Sequence, residues 1–544
     1  MRRHPAAPGT SRPTVASALL VGVFFSCVYL VSGSSDLKHN GDTDLRYQTT
    51  QAIVDYHRLW IDHPMWLDTR VATGVGGHLY AFYAPGQTLL MVPFYVAGKF
   101  LAHHLALPYD VTTFYASRSL DLVLGAILAV VFFLMAMSVG YSTGVSVVLT
   151  LIFGLATVVW PDAQSALEQT QVNLLLLVAV FAVWNFVKRD LHDRRWLVAA
   201  GTAAGLAFFT RYDAVLYLPL IILYPALMRW MNGRRGAIIG DVSLYAISAL
   251  PWATGIAIWN AARFGSPFLT GLHEQTFGEP PWSGFLGLTI SPGKGLIWYL
   301  PLLLMLPWAI PNFYRRSRSL SFFFAALVAV TLLFYSNVMY WHGDPAWGPR
   351  YLYVVVPYLM LPLGEIFMTW RRRSALLRTV LVAFIGVSLV LQVSAVSVTQ
   401  WRFWYRLQVA EQGTSRPFRW GAQQYHYYWN VQESPIRIQL DNLYQVLRLD
   451  LGEQRYRLSA KPADPYVTSN PAQEYPVNTL AFWWSDVRHP LLDQRTRALI
   501  ALGLAAAAAA ALALLMAQLL HGGRAATSLP RRDLELTAGE TARQ

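Results

Sequence analysis

Apolar runs, each near the length of about twenty residues that a helix needs to cross a bilayer, recur along most of the chain. Twelve are read as spans, at roughly 14–32, 115–137, 144–160, 172–187, 196–210, 213–229, 239–260, 295–313, 319–338, 350–369, 376–397 and 496–519. The pattern predicts an all-α polytopic membrane protein. A further apolar run at 88–107 is not counted, because it contains Pro93, Lys99, His103 and His104. It is read as a helix in the outer interface. Residues 42–60 carry Leu45, Thr49, Ala52, Ile53, Tyr56, Leu59 and Trp60 at helical spacing, which predicts a second helix on the membrane surface.

Composition agrees with this pattern. Of the 544 residues, 55% are hydrophobic and 13% charged, against about 25% charged in an ordinary globular protein. A soluble fold could not cover so much apolar surface with so few charges. The single cysteine, Cys27, lies inside the first run, so an internal disulfide framework is excluded.

The net charge of +13 would suggest nucleic acid on a soluble protein. Here about half of the 43 Lys and Arg fall in a few clusters: the N-terminal tail, 188–195, 229–235, 315–318, 371–378 and the C-terminal tail. With both termini in the cytoplasm, every cluster lies inside, as the positive-inside rule requires. Counting 88–107 as a span would put the later clusters outside. No nucleic-acid partner is expected. The chain is read as a multi-pass protein of the plasma (inner) membrane, with its chemistry facing outward and membrane lipids as neighbours.

Two outer segments are long, 33–114 and 398–495. The second is rich in aromatics, such as Tyr425, Tyr427, Tyr428 and Trp429, or Trp483 and Trp484. It lacks the strand spacing of a sandwich or barrel and is expected to form a cap of short helices and loops. Its aromatics suit interfacial anchoring or stacking on sugar rings.

Acidic residues are scarce, and their places are informative. Asp42 and Asp44 open the helix of the first outer segment, followed by Arg46 and Tyr47. Capping and the helix dipole account for one acid better than for two. Asp162 and Glu168 lie in the loop after the third span, where they could favour a helix N-terminus or face Asp42 and Asp44. Arg211, Lys294 and Arg350 stand at outer turns, with Arg46 on the acid-bearing helix. They could snorkel, pair locally, or hold a phosphate at bilayer depth. His273, Glu274 and His342 could bind a divalent metal, although none has a recognised ligand spacing. No Walker loop, Rossmann fingerprint or nucleophile elbow is present. Asp121, Asp241 and Glu365 are placed toward the ends of their spans, which favours an outward-facing enzyme over an ion-coupled transporter.

Together these features resemble the GT-C superfamily of membrane glycosyltransferases, and within it the protein O-mannosyltransferase and aminoarabinose transferase group. The resemblance rests on Asp42, Asp44, Arg46 and Tyr47; on Tyr80-Ala81-Phe82-Tyr83-Ala84-Pro85-Gly86; on Asp162 and Glu168; and on Ser291 to Gly295 and Gly348-Pro349-Arg350-Tyr351. It spans roughly residues 14–397. It implies inverting transfer of a sugar from a polyprenyl-phosphate donor to a glycan, lipid or protein acceptor on the outer face. Asp42 or Asp44 would be the general base. Glu168 or Asp162 would orient the acceptor or a metal. Arg211, Lys294, Arg350 and Arg46 would hold the donor phosphate. Residues 1–397 would then be the catalytic core, 398–495 an extracytoplasmic segment, and 496–544 the last span and a cytoplasmic tail. A flippase of lipid-linked saccharides is the alternative, and a non-catalytic scaffold a third.

Overall fold

A computed structural model describes residues 12–34, 41–64, 70–272, 277–343, 346–399, 403, 428–450, 480–485 and 491–527. The described residues are mostly helical. The elements run α1 (Arg12–Val31), α2 (Gly41–Tyr56), a hairpin of β1 (Val71–Thr73) and β2 (Leu79–Ala81), then α3 (Pro85–His104), α4 (Tyr109–Val139), α5 (Thr143–Leu155) and α6 (Val159–Ser165). There follow α7 (Gln169–Lys188), α8 (Arg195–Thr210), α9 (Tyr217–Met231), α10 (Ile238–Phe264), α11 (Pro281–Ile290), α12 (Leu296–Tyr299), α13 (Leu306–Arg316) and α14 (Arg318–Tyr335). The described residues end with α15 (Val356–Met360), α16 (Gly364–Met368), α17 (Ala375–Ser397), α18 (Pro435–Asp450) and α19 (Gln494–Thr527).

Among the described residues nine helical stretches are long and apolar enough to cross a membrane, or ten if the bent α5–α6 pair is one span. The sequence pattern predicts twelve. Against the count of ten, the difference lies in two places. The helix at 196–210 forms as α8, but its 16 residues make only about 24 Å of helix. The run at 295–313 is broken into α12, a 3-10 turn at Pro301–Met305 and α13. Pro301 and Pro307 lack the N–H that a continuous helix would use. The span at 144–160 is likewise broken, with a 50° bend between α5 and α6.

Ordinary local rules fix the helix ends. Gly140, with φ of +101°, closes α4 in a left-handed turn, and Ser142, Ser317 and Ser374 cap α5, α14 and α17. The two tryptophans Trp483 and Trp484 have a similar role over a long sequence distance. Their indole N–H groups donate to the carbonyls of Leu30 and Val31, at 2.7 and 2.8 Å. These carbonyls belong to the last turn of α1, where intrahelical donors run out. The aromatics 425 and 427 lie outside the described residues.

Small residues let the helices approach. A Cβ at Gly205 would lie 2.6 Å from the Trp252 ring, and one at Gly98 would lie 2.8 Å from the Thr113 backbone. α8 therefore packs closely on α10, and α3 on α4. The outward faces stay apolar, with Leu19, Ile247, Leu333 and Leu502 exposed where lipid would contact them. α3 is not among the helices apolar enough to span. Its Lys99 pairs with Asp55 of α2 at 2.5 Å, and Tyr109 adds a hydrogen bond to the same carboxylate at 2.9 Å.

α2 is buried on more of its circumference than its apolar spacing predicts. Its first nine residues are buried apart from Asp42 and Gln48, while Tyr56 is exposed. Asp121 also departs from expectation. α4 starts at Tyr109 rather than near 115, so Asp121 lies well inside the helix and is fully buried.

Candidate active site

The first turn of α2 carries Asp42 and Asp44. Asp42 and Arg46 are four residues apart and so share one face of the helix. Both meet Tyr83, from the turn between β2 and α3. The Tyr83 hydroxyl donates to Asp42 Oδ1 at 2.6 Å, and the Arg46 guanidinium lies 4.0 Å over the Tyr83 ring. Two more cations reach Asp42: Arg70 Nε lies 3.2 Å from Oδ1, and an Arg350 terminal nitrogen 3.4 Å from Oδ2. Burial pushes the Asp42 carboxyl up, but Arg350, Arg70 and Arg46, with the Tyr83 hydrogen bond, outweigh it. The carboxyl is held well below the usual carboxylate range and is ionised. Tyr83 moves the other way. Its own burial and the facing Asp42 carboxylate keep the phenol protonated.

Glu168 closes the other side. It stands just before α7 and meets Arg46 at 2.6 Å and Arg211 at 3.3 Å. Arg211 also donates Nε to both oxygens of Asp213, at 2.8 and 2.7 Å, and Tyr335 donates to the same carboxylate. The guanidiniums of Arg211 and Arg350 each lie 5.3 Å from the Tyr351 ring, which stacks on Tyr335 at 4.3 Å. The contacts form a closed circuit: Asp42, Arg350, Tyr351, Arg211, Glu168, Arg46, Tyr83 and back to Asp42. Within it, Arg46 Nε, one terminal nitrogen of Arg46 and Arg350 Nε are buried without a hydrogen-bond partner. Buried cationic donors without a partner are costly, and an anion would relieve that cost.

A second polar layer lies behind the circuit, on the turn between α6 and α7. Ala166 there adopts a left-handed conformation, with φ of +56°. Its carbonyl accepts from Thr43 of α2 at 2.9 Å and from the Gln87 amide of α3 at 3.4 Å. Gln87 also donates to Asp121 at 3.0 Å.

The sequence-derived candidates therefore separate. Asp42, Glu168, Arg46, Arg211 and Arg350 come together. Asp44 is fully buried and, two residues on from Asp42, sits on a different face of α2. Asp162 is buried and accepts from Thr170 at 2.9 Å, and its other carboxylate oxygen is buried without a hydrogen-bond partner. The Lys294 ammonium donates to the carbonyls of Ala346 and Gly348, at 2.7 and 3.2 Å, and so braces the segment leading to Arg350. His342 stacks on Tyr428, with ring centroids 5.0 Å apart. His273 and Glu274 lie outside the described residues. Among the described residues, no three His, Cys, Asp or Glu side chains converge to hold a metal.

Tyr83, Arg70 and Tyr351 are site residues that sequence reasoning misses, while Asp213 is the local partner that the turn Thr210-Arg211-Tyr212-Asp213 offers Arg211. Tyr83 and Tyr351 stand inside the quoted motifs, and that is the available signal. Nothing in the sequence points to Gln87.

No family model matches the chain, and no curated protein matches it. Among solved structures, ArnT from Cupriavidus metallidurans in the apo state aligns with a TM-score of 0.46 and 14% identity, covering 78% of this chain and 73% of that one. The same protein bound to undecaprenyl phosphate aligns with a TM-score of 0.45 and 15% identity, covering 80% and 74%. The archaeal oligosaccharyltransferase AglB from Archaeoglobus fulgidus, in complex with an inhibitory peptide and a dolichol-phosphate, gives 0.43 and 11%, covering 77% of this chain and 59% of AglB.

Proposed function

We propose that this protein is an integral membrane glycosyltransferase. It transfers a sugar from a polyprenyl-phosphate donor to a glycan, lipid or protein acceptor on the outer face of the membrane. The observation that carries this reading is the closed circuit, in which an ionised, partly accessible carboxylate adjoins buried guanidinium nitrogens without partners.

A hydroxyl acceptor is a poor nucleophile. As its oxygen bonds to C1 of the donor sugar, Asp42 takes its proton, and the C1–O bond to the lipid phosphate breaks. A single displacement of this kind inverts C1. The leaving phosphate gains charge in the transition state, and Arg46, Arg350 and Arg211 are the cations that meet it. A phosphate that engages Arg350 draws it from Asp42. That raises the basicity of the carboxylate as the reaction needs it. Asp42 is assigned over Asp44 because its side chain is partly accessible and Asp44 is fully buried. The lipid supplies the activated sugar, which fits the lack of a nucleotide-binding motif.

The test is Asp42→Asn in the purified full chain, assayed for sugar transfer from a polyprenyl-phosphate donor. The rate should fall by about 10²–10⁴-fold, the usual contribution of a general base. Thermal stability should hold, since the amide oxygen still accepts from Tyr83 and Arg70. Transfer within tenfold of wild type would remove Asp42 from the role.

A further inference from the structure

Gln87 has no place in the proposed chemistry, yet it is fully buried at the junction of four elements. Its amide nitrogen donates to Asp121 of α4 at 3.0 Å and to the carbonyl of Ala166 at 3.4 Å. The same carbonyl accepts from Thr43, which lies between Asp42 and Asp44 on α2. Ala166 in turn lies two residues before Glu168 and is held in a left-handed conformation that alanine adopts reluctantly. One amide thus ties α3 and α4 to the carbonyl that α2 also grips.

The backbone around Gln87 has little freedom to compensate. A Cβ at Gly86 would lie 2.6 Å from the Thr210 Cα, so the start of α3 is locked against the residue before Arg211. Thr210 also accepts from Gln171 at 3.0 Å, and Thr50 of α2 donates to the Thr88 carbonyl at 3.0 Å. The segment 86–88 touches the elements that carry Asp42, Glu168 and Arg211.

We propose that Gln87 is a positioning residue: through the Ala166 carbonyl it fixes the separation between Asp42 on α2 and Glu168 on the α6–α7 turn. The proposal rests on the glycosyl-transfer reading. Asp121 serves in it as a hydrogen-bond acceptor for the Gln87 amide, not as a proton carrier or an ion ligand.

The experiment uses paired substitutions in the full-length protein. Asp121→Asn keeps an oxygen facing the Gln87 amide and should leave kcat within about twofold, since geometry rather than charge is retained. The double variant Gln87→Glu with Asp121→Asn reverses the donor. The amide introduced at position 121 then donates to the carboxylate introduced at position 87, and the contact between α3 and α4 survives. That carboxylate has no N–H to donate to the Ala166 carbonyl. The double variant should melt close to wild type and bind undecaprenyl phosphate as wild type does. Its kcat should fall on the order of 10²-fold, as a displacement near 1 Å can cause. Amide exchange in residues 162–168 should be faster.

A double variant with kcat near wild type, a parallel loss of lipid affinity, or unchanged exchange at 162–168 would overturn the proposal. So would an inactive Asp121→Asn, which would assign Asp121 a role of its own through charge or a proton. If the wild-type protein transfers no sugar, the functional reading fails, while the exchange measurement still decides whether Gln87 holds the turn.

Discussion

α8 and α10 carry charge clusters at both ends, and the two ends differ. At the end formed by the start of both helices, Asp241 accepts from Arg229 at 2.6 Å and Arg194 at 3.2 Å, and Arg229 also donates to the Leu191 carbonyl at 2.8 Å. Among the described residues, no polar side-chain atom of this cluster is buried without a partner. At the other end, Arg211 belongs to the circuit with Glu168, Tyr351, Arg350, Asp42 and Arg46, and three guanidinium nitrogens there are orphaned. Buried acids next to arginines occur in both places. A cluster that satisfies all its own hydrogen bonds has done its structural task. A cluster that leaves buried cationic donors unused has capacity for an anionic ligand.

Two substitutions sharpen this contrast. Arg229→Ala leaves Asp241 buried with only Arg194, whose side chain is half exposed. Removing one partner of such a pair costs about 3–5 kcal/mol of stability. Chemical or thermal unfolding in detergent should show this loss, while transfer per folded molecule stays near wild type. Arg350→Ala should give the reverse pattern. Transfer should fall by about 10²–10³-fold, the usual loss on removing one charge-stabilising donor, and binding of undecaprenyl phosphate should weaken. Its melting temperature should change little, because Tyr83 and Arg70 still hold Asp42. If Arg350→Ala unfolds the protein while Arg229→Ala abolishes transfer, the distinction between the two ends is wrong.

Arg70→Ala is a milder probe, since Arg70 is partly exposed. Loss of a neighbouring cation disfavours the carboxylate, so the Asp42 pKa should rise toward its usual value. The base is active when ionised. The acid limb of the kcat/KM profile should therefore move to higher pH, toward the usual carboxylate value of about 4, with the plateau above it retained. A shift to lower pH, or none, would mean that Asp42 does not set that limb.

The sequence supported much of this site because chemistry is sparse in a chain that is 13% charged. Asp42, Arg46, Glu168, Arg211 and Arg350 stand out as charges that topology does not need. Lys294 and Asp162 stand out equally, and the sequence cannot separate them from the others. Lys294 satisfies two backbone carbonyls and Asp162 a threonine, and such partners carry no signal in composition. Asp42 and Arg350 are 308 residues apart, and no local pattern joins them.

The all-α membrane class and the helical start at Asp42 follow from the sequence by itself. Hydrophobic length and helix spacing are local properties, and the bilayer acts on each segment separately. Tertiary structure decided which carboxylate is accessible, which cations lack partners, and where spans break or fall short. Those outcomes depend on close approach between distant helices, and burial makes each unpaired polar group costly enough for its partner to matter.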